Sequence, residues 1–152
     1  MLKKEYLSKN ATMTKDLANK IGEKLWDGSC VLLSGELGAG KTCFTQGLAR
    51  GLQIKRNITS PTFTIFKIYQ DGRLPLFHID AYRLENNFQD VGFSDYIGVN
   101  GVSAIEWPDY ISQLLPAEYL KVTFNYVDED IRLLKLEAQG ESYCDLLEEV
   151  LC

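Results

Sequence analysis

Residues Gly35-Glu36-Leu37-Gly38-Ala39-Gly40-Lys41-Thr42 match the pattern G-x-x-x-x-G-K-[ST] at every fixed position. The pattern's chemistry is anion binding. Backbone N–H groups must converge on phosphate oxygens, which demands dihedrals and a close approach that a Cβ would block. Lys41 would reach the β- and γ-phosphates as a compact charge, and the Thr42 hydroxyl would ligate Mg²⁺. The flanks suit this reading. The apolar run Cys30-Val31-Leu32-Leu33-Ser34 precedes the loop, and apolar residues recur near helical spacing from Cys43 to Arg50. A strand, a glycine-rich turn and a helix whose positive dipole end faces the same anion predict a nucleoside triphosphate as ligand.

Hydrolysing that ligand needs a further metal contact from a carboxylate and a group that responds to the γ-phosphate. Asp80, after Leu76-Phe77-His78-Ile79, and Glu106, after Val102-Ser103-Ala104-Ile105, each end an apolar run. In an open α/β sheet those strand ends lie at the ligand-bearing edge. Either carboxylate suits the metal or its water while the other orients the attacking water, and each alone also suits a helix cap. Thr59-Ser60-Pro61-Thr62 follows the first βα unit where a switch loop would lie; an ordinary polar loop has the same composition. His78, the only histidine, reads as a satisfied residue near the core. Trp107 suits the core or a lid on the site.

These groups are expected on one domain spanning residues 1–152, with an α/β fold. The class is a P-loop NTPase-like three-layer sandwich with a mixed parallel/antiparallel sheet. A helix is predicted from Thr14 to Trp26, capped by Thr14 with Asp16 behind it and ended by Asp27-Gly28. Phe63 to Tyr69 and Leu74 to Ile79 read as a hairpin around Asp71-Gly72. Residues 81–101 are irregular, with short helices. After the strand ending at Glu106, Trp107-Pro108 opens a helix-like segment to Leu115. Leu120 to Tyr126 and Ile131 to Ala138 are strands around Asp128-Glu129-Asp130, and Ser142 with Asp145 resembles a capping box for a last helix.

Hydrophobic residues make up 45% of the chain and charged residues 24%, which is ordinary for a globular protein. The net charge of −5 argues against a free-standing nucleic-acid binder, without excluding contact through a partner. The four cysteines form no C-x-x-C pair, so neither a disulfide framework nor a zinc site is expected. No stretch reaches the roughly 20 apolar residues of a membrane span, and Met1 to Lys20 has no apolar core of a signal peptide. A reducing cytoplasm and no membrane contact are the expectation.

Four motifs in order resemble the TsaE (YjeE) family, the small bacterial ATPases of tRNA threonylcarbamoyladenosine synthesis. They are the loop 35–42, Thr59-Ser60-Pro61-Thr62 with Phe63, His78-Ile79-Asp80-Ala81-Tyr82-Arg83-Leu84, and Glu106-Trp107-Pro108. The resemblance implies that Gly38, Ala39, Gly40, Lys41, Thr42 and Cys43 hold the ATP phosphates, and that Thr42 and Glu106 bind Mg²⁺. It implies that Asp80 supports hydrolysis, that residues 59–62 act as a switch-like loop, and that Trp107 flanks the site. Ala11 and Arg132, which sit in no motif, would help hold the nucleotide. The implied partner is a TsaB–TsaD pair that carries the transfer to adenosine-37 of ANN-reading tRNAs, with tRNA reached only through that pair.

Two other classes share the loop. A small-molecule kinase would need several arginines on a lid, and Arg50, Arg56, Arg73, Arg83 and Arg132 are widely scattered. A nucleotide-gated binding module would hardly hydrolyse, which the paired carboxylates disfavour. ATP rather than GTP follows from the family, since no N-K-x-D motif is present. No basic residue obviously serves as an arginine finger in cis, so hydrolysis by the chain alone is expected to be slow; Arg83 is the nearest candidate by motif and reads equally as a surface or core-edge arginine.

Overall fold

The computed structural model describes residues 1–36, 38–59, 66–84 and 92–151, with the backbone alone at Arg83. Its centre is β2, Cys30–Ser34, buried at four of its five positions. Such an apolar run suits a strand covered on both faces. Parallel neighbours flank it: β5, Val102–Glu106, on one side and β6, Tyr119–Tyr126, on the other. Beyond β5 lies parallel β4, Leu76–Asp80, and then antiparallel β3, Phe66–Tyr69. Beyond β6 come antiparallel β7, Arg132–Gln139, and β1, Leu2–Ser8. The described sheet therefore has seven strands in the order β1-β7-β6-β2-β5-β4-β3. The expected mixed sheet is the one observed.

Helices α1 (Ala11–Lys24), α2 (Lys41–Gly51) and α3 (Glu141–Leu151) share one core with the sheet. The inward residues of β2, β5 and β6 on that side include Val31, Leu33, Ala104 and Val122. The opposite face of β2, β4 and β5 is covered by 3₁₀ segments, with Phe93, Ile97 and Ile111 packed on Leu32, Phe77, Ile79 and Ile105. The third layer stops there. On β6, β7 and β1 that face carries Lys121, Thr123, Lys135 and Lys3, all at least partly exposed, as an antiparallel sheet allows.

Three sequence expectations need correction. Helix α1 starts at Ala11, and its cap is Asn10, whose Oδ1 accepts the Met13 N–H at 2.8 Å. Thr14 is instead buried inside the helix, its Oγ1 2.6 Å from Ser8 Oγ. The segment Met1 to Lys20 contains strand β1, which the sequence reading left out. Helix α3 starts before Ser142, with the Cys144 N–H donating to Gly140 O at 3.0 Å, so Ser142 lies within its first turn and no capping box forms around it.

α1 and α2 approach through glycines. A Cβ at Gly47 would sit 2.5 Å from Lys15 O and 2.6 Å from Ala18 Cβ. Helix propensity favours alanine over glycine by about 1 kcal/mol, but backbone cannot yield as a flexible side chain can. Gly47→Ala is expected to lose about 2 kcal/mol, or roughly 6 °C in Tm, on thermal unfolding. A variant as stable as the parent would mean that the helices are free to slide apart.

Candidate active site

Strand register brings three strand ends level. Leu33 of β2 lies opposite Glu106 of β5, and Glu106 opposite Asp80 of β4. The chain leaves β2 at this edge, turns through Gly35–Gly40 and enters α2 at Lys41. Gly38 and Gly40 have φ of +79° and +107°, a region that L side chains avoid. Among the described residues a Cβ at Gly38 would meet nothing within 4 Å, so they leave the loop open above that glycine. The first N–H groups of α2 have no intrahelical partners and remain available to an anion.

A cleft of about 250 Å³ is bounded by Gly38, Gly40, Lys41, Thr42, Cys43 and the two carboxylates, Asp80 and Glu106. Lys41 is only 4% exposed. Its Nζ donates to Gly35 O at 2.5 Å and lies 4.1 Å from the Trp107 ring centroid. Burial pulls the lysine's pKa down, while Glu106 and then Asp80 oppose that shift. Trp107 is both a core-edge residue and a cover. It is partly buried, stacked on Tyr110 with centroids 6.0 Å apart, and held at φ +58°, a strained value for a tryptophan.

Period-two alternation puts His78 and Asp80 on the same side of β4. His78 is fully buried, and its Nε2 lies 2.7 Å from Glu106 Oε2. The carboxylate partner assigns the ring proton to Nε2. Nδ1 has no partner among the described residues. His78 is thus satisfied at Nε2 alone, and by the site's own carboxylate rather than by the core. Its place two residues before Asp80 was the signal for this.

Asp80 Oδ1 accepts the Tyr82 N–H at 3.1 Å. Burial pushes the Asp80 pKa up and Glu106 adds to the rise, against the Tyr82 N–H and Lys41. A carboxyl whose folded pKa is raised binds its proton more tightly when folded. Its contribution to stability therefore falls as pH rises from the unfolded value through the folded one. Asp80→Asn removes that titration, so its Tm advantage over the parent should be larger at pH 7 than at pH 4. Parallel Tm curves across that range would contradict the assigned burial cost.

A second hollow, about 200 Å³, adjoins the first across Gly38, Gly40 and Cys43 and is bounded also by Ala11, Ala39 and Arg132. Cys43 Sγ donates to Ala11 O at 3.4 Å, and Arg132 Nη2 to Gly38 O at 3.5 Å. Ala11 and Arg132, isolated in the sequence, are thus brought to the loop by α1 and by the β6–β7 hairpin. Of the switch-like segment only Thr59 is described; Ser60, Pro61 and Thr62 lie outside the described residues. Thr59 borders neither hollow, and its Oγ1 accepts from Lys67 Nζ at 2.6 Å.

Among the described residues no three His, Cys, Asp or Glu side chains form a metal cage. One hydroxyl with one or two carboxylates is nonetheless the donor set Mg²⁺ takes when phosphate oxygens and waters complete its octahedron. Thr42 and Glu106 fit that role beside the open glycine loop.

The family model for "Threonylcarbamoyl adenosine biosynthesis protein TsaE" matches residues 8–134. The chain belongs to the TsaE family. It is 42% identical over 141 residues to the Bacillus subtilis "tRNA threonylcarbamoyladenosine biosynthesis protein TsaE", covering 93% of this chain and 89% of that one. The Treponema pallidum protein of the same name is 45% identical over 112 residues, covering 72% and 82%. A solved structure described as "Crystal structure of Bacillus subtilus YdiB" superposes with a TM-score of 0.85 at 36% identity, over 98% of this chain and 94% of that one. The TsaE match takes in both hollows, including Arg132, and stops before α3.

Proposed function

We propose that this TsaE-family chain is a Mg²⁺-dependent ATPase of tRNA threonylcarbamoyladenosine (t6A37) modification. It works with a TsaB–TsaD pair in the cytoplasm and reaches ANN-decoding tRNAs only through that pair. The observation that carries the reading is the convergence of Lys41, Thr42, Asp80 and Glu106 on one cleft over the glycine-rich loop. The names of the relatives support the tRNA context. No described helix is long and apolar enough to cross a membrane.

Backbone N–H groups from Gly38 to Cys43 bind the phosphates, and Lys41 exchanges Gly35 O and the Trp107 face for phosphate oxygens. Ala11 and Arg132 border the hollow that takes the rest of the nucleotide. Thr42 and Glu106 hold Mg²⁺, which supplies neutralising charge at the phosphates when bound. Glu106 keeps one oxygen on His78 and turns the other to the cleft. Asp80 keeps one oxygen on the Tyr82 N–H, and its raised proton affinity suits it to orient water and take its proton. Trp107 covers Lys41 and limits water around it.

No arginine is spent on a lid among the described side chains. Arg73 donates to Gly22 O and Leu25 O at the end of α1, and Arg56 pairs with Asp71 at 3.4 Å. Arg83, the candidate finger, lies outside the described side chains.

The test is phosphate release by the chain alone and with the TsaB–TsaD pair. Turnover should be slow alone, rise with the pair, and fall at least about a hundredfold in Glu106→Ala. Equal turnover with and without the pair would remove the partnership. Phosphate appearing on a sugar or nucleoside would replace the ATPase by a kinase.

A further inference from the structure

A separate cleft of about 620 Å³ opens between α1, α2 and the 54–59 connection. Lys15, Arg50, Lys55 and Arg56 border it, and among the described residues no carboxylate does. In a chain with 21 acidic and 16 basic residues, chance would rarely gather four cations with no described acid among them. Among the described residues, Lys15, Arg50 and Lys55 form no ion pair. The walls are fixed. Gln46 Nε2 donates to Ile58 O at 2.9 Å, tying the connection to α2. Asp71, outside the cleft, accepts the Lys55 N–H at 3.2 Å, and Arg56 lies over the Tyr69 ring at 5.1 Å. Like charges gathered around one cleft repel each other, and a bound anion relieves that repulsion.

We infer that this cleft docks an acidic segment of a partner protein. Carboxylate side chains complement the charge of the feature and the Arg50 guanidinium, while the Arg56 guanidinium is already paired with Asp71. A nucleic acid suits it less. RNA recognition relies on aromatic stacking and extended basic surface, whereas among the described residues no aromatic borders the cleft and the chain as a whole is negative. Thr59, the first residue of the switch-like segment, borders the same cleft. A partner seated there therefore touches the connection that leads from α2 into residues 59–62. The inference rests on the proposed partnership for the partner's existence, but the chemistry of the cleft is independent of it.

The experiment titrates the full chain against fluorescein-labelled octaglutamate, and separately against unmodified tRNA transcript, by fluorescence anisotropy. Arg50→Gln/Lys55→Gln is compared with Lys3→Gln/Lys135→Gln, which removes the same charge from the open face of β1 and β7. Octaglutamate binding should weaken about tenfold in the first variant and hold in the second, with Tm and basal ATP hydrolysis unchanged in both. The TsaB–TsaD pair should lose about the same factor against the first variant alone. Equal weakening in both variants reduces the cleft to net charge and overturns the inference. Binding of tRNA rather than octaglutamate that depends on Arg50 and Lys55 overturns it in favour of a nucleic-acid site. Stimulation of hydrolysis by the pair with no octaglutamate binding overturns it while leaving the ATPase reading intact. Cleft-dependent octaglutamate binding with a pair that has no effect supports the cleft and removes the proposed partner.

Discussion

Lys41→Ala is expected to lower phosphate release from saturating Mg-ATP by at least about a hundredfold, with the fold intact. Among the described residues Lys41 is the one cation bordering the cleft of Asp80 and Glu106, so no described neighbour there replaces it near phosphates. The fold does not depend on this charge. Burial disfavours the ammonium, and its hydrogen bond goes to the backbone carbonyl of Gly35 at the rim of the cleft. Tm should therefore stay within a few degrees. Lys41→Arg should fail to rescue turnover, because a planar guanidinium is bulkier than the ammonium that fits 4.1 Å from the Trp107 centroid. Turnover retained in Lys41→Ala would remove the cleft as the site of hydrolysis.

The parts of this site that were legible in the sequence are those written in short range. The loop 35–42, the strand ends at Asp80 and Glu106, and the hairpin around Asp71-Gly72 each announce themselves within about ten residues, by glycine, by apolar runs or by turn chemistry. What was missed depends on distant partners. β1 is an edge strand whose mate, β7, is more than a hundred residues away, and its inward side is only Leu2, Lys4, Tyr6 and Ser8. That thin alternation carries little signal before the pairing is known. The cap of α1 shows a different failure. Asn10 and Thr14 are both good caps by type, and Ser8 decides between them by binding Thr14 inside the helix. The incomplete third layer was hidden because polar residues on β6 and β7 read equally well as a solvated edge. Ala11 and Arg132 came only from family resemblance, since the contact joining them to the loop is made in three dimensions.

His78→Ala is expected to act on the metal rather than on the fold. Glu106 is 4% exposed and has His78 Nε2 as its hydrogen-bond donor at 2.7 Å. Without that donor the carboxylate swings or keeps a water, and a metal ligand held by fewer partners binds about 10- to 100-fold more weakly. The Mg²⁺ concentration for half-maximal hydrolysis should rise by that factor in His78→Ala, while ATP binding measured without metal stays within about twofold. His78→Gln, whose amide can still donate, should recover part of the Mg²⁺ affinity; a merely structural role would show the same loss at every Mg²⁺ concentration. The double variant with Glu106→Ala completes the argument. Glu106→Ala alone should abolish most turnover, and adding His78→Ala should cost little more, because both changes remove one unit. Additive losses would separate His78 from Glu106, and an unchanged Mg²⁺ requirement in His78→Ala would leave the histidine as packing beneath the site.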